Sequence, residues 1–403
     1  MIAIAALAAA ILVTVVLTVG PIARSTTWRA TVTPLASIIG SGFLICGPLL
    51  AHEFGSAAFA AMAILLMLAY AVGGVIRFNI THLEPLAETL HTHDPMAWAM
   101  RAAQGVLGAA YAISVAYYLK LLAEFGLKLA PVPVAMHVAA ANAIVTTIIL
   151  GFVALTFSGS LRRIEHAAHA TVSAKIGIIA GLLVGLAVWW AQHAGTTPAL
   201  PPAKLSPASV PMLLGLLITV QGFETSRYLG GSYSRPVRVR TMRLAQGISS
   251  AIYLAFVGLL TPFLMQASQA EGVAGILDIM TSVAPVLGIF VLIGAVASQL
   301  SAALADSIGA GGLIVEVSRR KLGIRGAFIT VCALAIAVVC LTDPFQVVAL
   351  ASRAFALFYA LQAGLALWTS LRSGAGSWIT RTGFVVLGLI CLIAAAVGAP
   401  AEG

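Results

Sequence analysis

Polar residues fall along this chain at intervals of roughly twenty positions, the length that crosses about 30 Å of hydrocarbon as a helix. The stretches between them are almost wholly apolar, and twelve can be read: 2–22, 32–53, 56–77, 98–122, 134–157, 168–192, 208–230, 243–267, 281–308, 326–342, 345–370 and 379–398. None shows the ~10-residue alternation of a membrane β-barrel. The pattern predicts an all-α polytopic membrane protein. Two of the stretches are interrupted at mid-depth by glycine beside polar residues. The first interruption is Gly40-Ser41-Gly42 within Ala36–Phe43, and the second is Gln221-Gly222-Phe223-Glu224 within Val220–Arg227. Lipid cannot pair an unwound backbone, so such breaks must be buried or line a cavity. Two of them, half a chain apart, point to the substrate site of a transporter.

The breaks divide the chain. An extra N-terminal helix (1–30) precedes a first five-helix repeat (31–193), a second repeat (206–370) and a final helix (378–403). An odd number of spans per half places the halves in opposite orientation, an inverted repeat. Met1 to Ala23 has no basic stretch before it, so it reads as a retained helix rather than a cleaved signal peptide.

Composition agrees: 61% of residues are hydrophobic and 9% charged, against roughly 25% charged in a soluble domain. The net charge of +9 suggests a nucleic-acid partner only until the basic residues are located. Alternate loops hold Arg24/Arg29, Arg77/Arg101, Arg162/Arg163, Arg235 to Arg243, Arg319 to Arg325 and Arg372/Arg381; the intervening loops hold little beyond Lys128 and Lys204. This asymmetry sets topology. It predicts cytoplasmic Arg-rich loops, external termini and a cell membrane, the inner one in a bacterium, with lipid and not nucleic acid as the surrounding partner. The four cysteines lie inside apolar segments without metal or disulfide spacing. No ATP-binding glycine-lysine motif is present, which argues against primary pumping, and no cofactor is expected.

Several polar residues inside the spans are candidates for chemistry. Glycines at 40 and 42 let the backbone leave helical geometry, and the half-helix that follows presents free N–H groups and a positive dipole end suited to a carboxylate. Close helix packing is the other reading of that small-residue stretch. Ser37 lies one turn before it. Glu224 and Arg227 share a helical face, either as an internal ion pair or as cavity residues. Gln221 and Gly222 carbonyls with Glu224 offer a place for an ammonium group. Lys175 lies well inside an apolar run, either snorkelling to the nearby surface or buried as a proton-exchanging amine. On the ninth span Gln299, Ala302 and Asp306 share a face, with Ser298 and Ser301 on an adjacent edge. Tyr111, Ser114 and Tyr118 make a stripe on the fourth span. Arg353 lies inside the eleventh and needs a partner, for which Glu224 is nearest in depth. The cluster His82, Glu84, Glu88, His91, His93 and Asp94 matches no standard metal spacing and reads as a solvated loop.

These residues carry a resemblance. Gly40-Ser41-Gly42-Phe43 resembles the first-helix break of amino acid–polyamine–organocation (APC) permeases, and Gln221-Gly222-Phe223-Glu224 is similar to their sixth-helix break. Arg162 to Lys175 resembles their entry into the fifth core helix, with Lys175 where proton-coupled members place a lysine. Ser298 to Gly312 looks like a degenerate eighth helix. Departures are the helix 2–22 and Gly230-Gly231-Ser232-Tyr233, which replaces the usual acidic stretch. The resemblance spans about 30–400. It implies a LeuT-like 5+5 inverted repeat, alternating access, and a small-molecule substrate bound between the first and sixth core helices with a coupling proton.

The expected protein is therefore a secondary transporter of a small amino acid, amine or related solute, not an enzyme. Substrate would be bound by Ser37, Gly40, Ser41, Gly42, Tyr111, Gln221, Gly222 and Glu224. Lys175, Ser298, Ser301 and Asp306 would handle the coupling ion, and Arg227 and Arg353 would gate. Rival readings are an intramembrane lipid-modifying enzyme, with the His82–Asp94 loop as its only candidate site, and a transport-inactive sensor or assembly subunit.

Overall fold

The computed structural model describes residues 1–40, 42–91, 93–128, 132–157, 161–195, 199–270, 275–319 and 321–399; the side chains of 134, 155–157, 161–171 and 344 fall outside that description. Ser41 and Arg320 lie outside the described residues, as do the side chains of Arg162 and Arg163.

Among the described residues every regular element is helical. Helix α1 (Ile2–Thr18) precedes α2 (Thr26–Ile38) and α3 (Gly42–Phe54), the two halves of the first broken span. A turn at Gly55, in the left-handed region at φ +58°, leads into α4 (Ala58–Phe78). Then come α5 (Pro95–Leu127), α6 (Val134–Phe157) and α7 (Leu161–Gln192). The second broken span is α8 (Ser209–Gly215), tight turns at Leu217–Val220, and a second piece, Phe223–Leu229. The chain continues through α9 (Arg235–Leu259), the short α10 (Ile276–Val283), α11 (Pro285–Val317), α12 (Ile324–Leu341), α13 (Pro344–Ser373) and α14 (Trp378–Val397). Among the described residues ten runs are long and apolar enough to cross a membrane. One of them, Thr26–Ala87, holds two passes, α2–α3 and α4, and the broken segment 209–229 adds another, which gives the twelve expected.

Helix α5 packs along both α11 and α13 as a scaffold, while α2 packs on α9 and on the piece Phe223–Leu229. The boundaries differ from expectation where polar residues continue a helix. The ninth span, read as 281–308, is Pro285–Val317, and the fourth, read as 98–122, is Pro95–Leu127 with Asp94 capping its start. Apolarity marks the hydrocarbon layer, not the end of the helix.

Helix α1 is seated on α7 through small residues on both sides. Gly177, Gly181 and Gly185 recur every fourth position and face Thr14, Ala10 and Ala6; a Cβ on Gly181 would lie 2.6 Å from the Ala6 carbonyl oxygen. Such small-residue stripes let membrane helices approach to backbone contact. Ser173 adds a hydrogen bond to the Leu17 carbonyl at 3.3 Å.

The stretch 78–97, expected as a solvated loop, is helical as far as Ala87, with a π turn at Asn79–Leu83. Its acids meet arginines distant in sequence. Arg238 donates to both oxygens of Glu84 at 2.9 and 2.6 Å, Arg235 reaches Glu88, and Arg372 donates to Asp94 at 3.0 Å. Asn79 is fully buried and donates to the Gln362 carbonyl oxygen and Oε1 at 3.0 and 2.9 Å. The cluster therefore ties α4 to α9 and α13.

Candidate functional site

Helix α2 ends where the first break begins, which leaves its last carbonyls without helical partners. Three side chains from three other helices supply them. Lys175 Nζ of α7 donates to Ala36 O at 2.9 Å, Tyr253 of α9 donates to Ile38 O at 2.9 Å, and Ser298 of α11 donates to Gly40 O at 2.8 Å. Lys175 is only 6% exposed, so it is not snorkelling, and its cation sits at the negative end of the half-helix dipole.

The second break is built around Gly222, whose φ of +118° is left-handed and favours glycine. Its N–H donates to Glu224 Oε2 at 3.0 Å, and the Tyr359 hydroxyl donates to the same oxygen at 2.9 Å. Glu224 is fully buried, with Tyr111 beside its carboxyl. Gln221 Nε2 donates to the Tyr118 hydroxyl at 3.2 Å. Phe223 stacks on Tyr359 with ring centroids 5.3 Å apart.

The two breaks touch each other reciprocally. A Cβ on Gly222 would come 2.5 Å from Ser37 Oγ and 2.8 Å from the Ile38 nitrogen, and a Cβ on Gly42 would fall on the Thr219 backbone. Each break thus uses a glycine to admit the backbone of the other. Tyr253 joins them, its single hydroxyl proton shared between the Ile38 and Thr219 carbonyl oxygens.

A cavity of about 520 Å³ opens beside the breaks. Its wall runs from Ser37 and Tyr111 at the level of the breaks to Leu229 and Glu316, which adjoin the turns carrying Arg235 and Arg319. Access is therefore from the Arg-rich face. On the other side of the breaks Phe43 packs on Tyr253 and Phe256, with centroids 5.7 and 4.5 Å apart. There the end of α3 is held by the segment before α8: Lys204 donates to the carbonyls of Phe54 and His52 at 3.2 and 2.7 Å.

The expected site residues separate into groups. Ser37, Tyr111, Ser301 and Asp306 line the cavity. Gly40, Lys175 and Ser298 instead border a small gap of about 10 Å³ behind the first break. Gln221 and Glu224 lie buried behind the cavity wall, while Gly222 forms the contact with Ser37. Lys175 and Asp306 are not paired: the lysine holds Ala36, and Asp306 Oδ2 is buried without a hydrogen-bond partner among the described residues.

Two expected pairings are corrected. Arg353 does not meet Glu224; its Nε donates to the Gly398 carbonyl at 2.7 Å, beyond the end of α14. Arg227 does not pair with Glu224 either: the Glu224 carboxyl is held by the Gly222 N–H and the Tyr359 hydroxyl, and Arg227 reaches Gln362 Oε1 instead. Cavity residues that sequence reasoning passed over are Thr33, Thr225, Tyr228 and Glu316. Tyr228 lies one turn past Glu224, the one signal that pointed to it. Lys120 was also missed; it is buried in α5 and donates to the Thr342 carbonyl, away from the cavity.

Paired broken helices around a cavity, on a crossed scaffold of long spans, define a membrane transporter of the inverted-repeat kind. The chain is matched over residues 20–398 by a family model described as "APC superfamily transporter", and it belongs to that superfamily. An uncharacterized protein of Aquifex aeolicus (strain VF5) is 36% identical over 346 residues, 84% of this chain and 83% of that protein. Among solved structures, a manganese transporter mutant from Eremococcus coleocola superposes with a TM-score of 0.58 at 13% identity, over 92% of this chain and 86% of that one; this likeness concerns the fold. The matched region begins after α1.

Proposed function

We propose that this protein is a secondary active transporter that moves a small amino acid, amine or related organic solute by alternating access, coupled to protons. The reading is supported above all by the Lys175–Ala36 contact: a buried ammonium group holds the end of the first half-helix, beside the break where substrate would bind. A proton leaving Lys175 would weaken that hold and let the half-helix move. Free N–H groups at the start of α3 would take a substrate carboxylate, and the carbonyls of Gln221 and Gly222 with Glu224 would take its amine. Arg227, held to α13 through Gln362, would gate the Arg-rich side. With arginine-rich loops inside the cell, the cavity represents an inward-facing conformation.

A thermal-shift screen of the purified protein against amino acids, polyamines and small amines tests the substrate class, since a ligand that binds only the folded state raises the melting temperature. A hit that is lost in Glu224→Gln supports the site between the breaks. A hit that is indifferent to Glu224 and Gly222 substitutions contradicts it.

A further inference from the structure

Helix α11 ends under strain. Arg319 follows the Ser318 cap at φ +53°, in the left-handed region, and among the described residues no other residue but glycine is found there. Glycine is the usual residue one place past a helix C-terminus, so an arginine there costs stability. Its side chain is exposed, and the guanidinium lies 5.7 Å from the centre of the Trp98 ring. Arg101 of α5 approaches the same ring at 4.3 Å. Trp98 is itself 55% exposed. Two cations thus meet on one indole, the side chain that favours a membrane–water boundary.

A groove of about 290 Å³, separate from the cavity beside the breaks, runs from this end between α5, α11 and α12. Its floor on α5 is glycine: a Cβ on Gly105 would first meet Val317 Cγ1 at 4.0 Å, and one on Gly108 the Leu313 Cβ at 3.7 Å. Leu334 of α12 closes the third side and is partly open to lipid. The polar side chains in its lining, Gln104 and Ser318, lie one turn from Arg101 and next to Arg319, so the groove becomes polar toward the two arginines. No acidic residue lines it among the described residues. Glu316 lines the central cavity instead, and Asp94 is taken by Arg372 at 3.0 Å. From Arg101 to Ala109 the groove follows α5 for roughly 12 Å, which is within one leaflet of a ~30 Å hydrocarbon core.

We propose that this groove is a binding site for an anionic phospholipid of the leaflet at the Arg-rich face, with its phosphate on Arg101 and Arg319 beside Trp98 and an acyl chain along Gly105 and Gly108. Guanidinium groups match phosphate geometry with paired hydrogen bonds, and basic pockets between membrane helices suit lipid headgroups. The carbon walls suit a chain, and a cavity of roughly 150 Å³ already admits a benzene-sized guest. A bound lipid would brace α5, α11 and α12 against one another and offset the strain at Arg319. The site does not depend on what the central cavity carries.

Melting of the full-length protein in detergent is followed while dioleoyl phosphatidylglycerol, dioleoyl phosphatidylcholine or glycerol 3-phosphate is titrated in. A ligand of the folded state raises the melting temperature. Phosphatidylglycerol should reach a given shift at a concentration at least roughly fivefold below that of phosphatidylcholine, the factor that one basic residue near an anionic surface supplies. Glycerol 3-phosphate, which has no chain, should give no shift. Arg319→Gly should melt higher than the wild type without lipid, because the strain is relieved, yet lose most of the phosphatidylglycerol shift. Gly105→Leu fills the groove and keeps both arginines, and it should lose the shift as well. Arg240→Ala removes an exposed charge of α9, outside the groove, and should keep it. Equal shifts from the two lipids overturn the proposal, as does a phosphatidylglycerol shift that survives Arg319→Gly or Gly105→Leu. A shift from glycerol 3-phosphate equal to that from the lipid would mean an anion site without a chain, and loss of the shift in Arg240→Ala would mean general attraction to the Arg-rich face; either result contradicts the groove. None of these measurements uses a transported solute, so the transport reading stands or falls separately.

Discussion

Lys175 Nζ donates to the carbonyl oxygen of Ala36 at 2.9 Å, a contact between residues 139 positions apart that pins α7 to the last turn of α2. An ammonium group at this position does what a bound cation would do at a helix C-terminus. It also makes the end of the half-helix depend on the protonation of one side chain. Replacing Lys175 with Ala removes the donor and leaves a buried carbonyl unsatisfied, a loss of about 1–3 kcal/mol. The variant should remain in the membrane fraction, melt earlier, and lose the pH dependence of uptake. Uptake that still follows an imposed pH gradient would remove Lys175 from the coupling role.

Gly222 stands at φ +118° with Ser37 Oγ 2.5 Å from where a Cβ would lie. The left-handed backbone alone makes Ala costly by about 1–2 kcal/mol, and the contact with α2 adds to that. Gly222→Ala should lower the melting temperature and suppress ligand-induced stabilisation, since it spreads the two breaks apart. Wild-type behaviour in both measurements would mean that the breaks are not in contact.

Both breaks were legible in the sequence because glycine beside polar residues is conspicuous inside an apolar run, and the inverted repeat followed from their spacing. Lys175 stood out for the same reason. Its acceptor did not, because a backbone carbonyl leaves no residue-type signal. Arg353 illustrates the limit: depth suggested Glu224, whereas the arginine reaches Gly398 at the end of α14. The acids of 84–94 looked solvated because their arginines, Arg235, Arg238 and Arg372, lie far along the chain. Depth can be read from hydropathy, but the azimuth of a side chain on its helix depends on packing.

Arg238 is 3% exposed and is matched in bidentate fashion by Glu84. Glu84→Ala strands a buried guanidinium, which costs about 3–5 kcal/mol. Glu84→Ala combined with Arg238→Met should regain much of that loss, because no charge is then left unpaired. Melting curves of the three variants check it; equal destabilisation in the single and double variants would show that the pair is not the source.

Gly181 lies against the Ala6 carbonyl, so Gly181→Leu should push α1 off α7 at a cost of about 1–3 kcal/mol. Amide exchange in residues 2–18 should accelerate, while that of the α5–α11 scaffold stays slow. Unchanged exchange in α1 would mean that the small-residue stripe does not hold it.

At the Arg-rich face, the Met96 N–H and the Arg372 guanidinium hold the Asp94 carboxyl below its ordinary range. A depressed carboxyl contributes stability above its unfolded pKa and loses it as pH falls through the folded value. Asp94→Asn keeps a good helix cap but not the charge, so it should flatten the acid limb of the melting-temperature profile, with little change near neutral pH. A profile unchanged in that variant would assign the acid limb to other groups.

The central claim is that substrate movement between the two breaks is tied to a proton through Lys175. The most direct measurement traps a pH-sensitive dye inside proteoliposomes and adds, outside, the ligand found by thermal shift. Wild-type protein should acidify the lumen only when ligand is present, and Lys175→Ala should abolish that signal while still binding ligand. Ligand uptake with no accompanying proton movement, or an identical signal from the variant, would contradict the account.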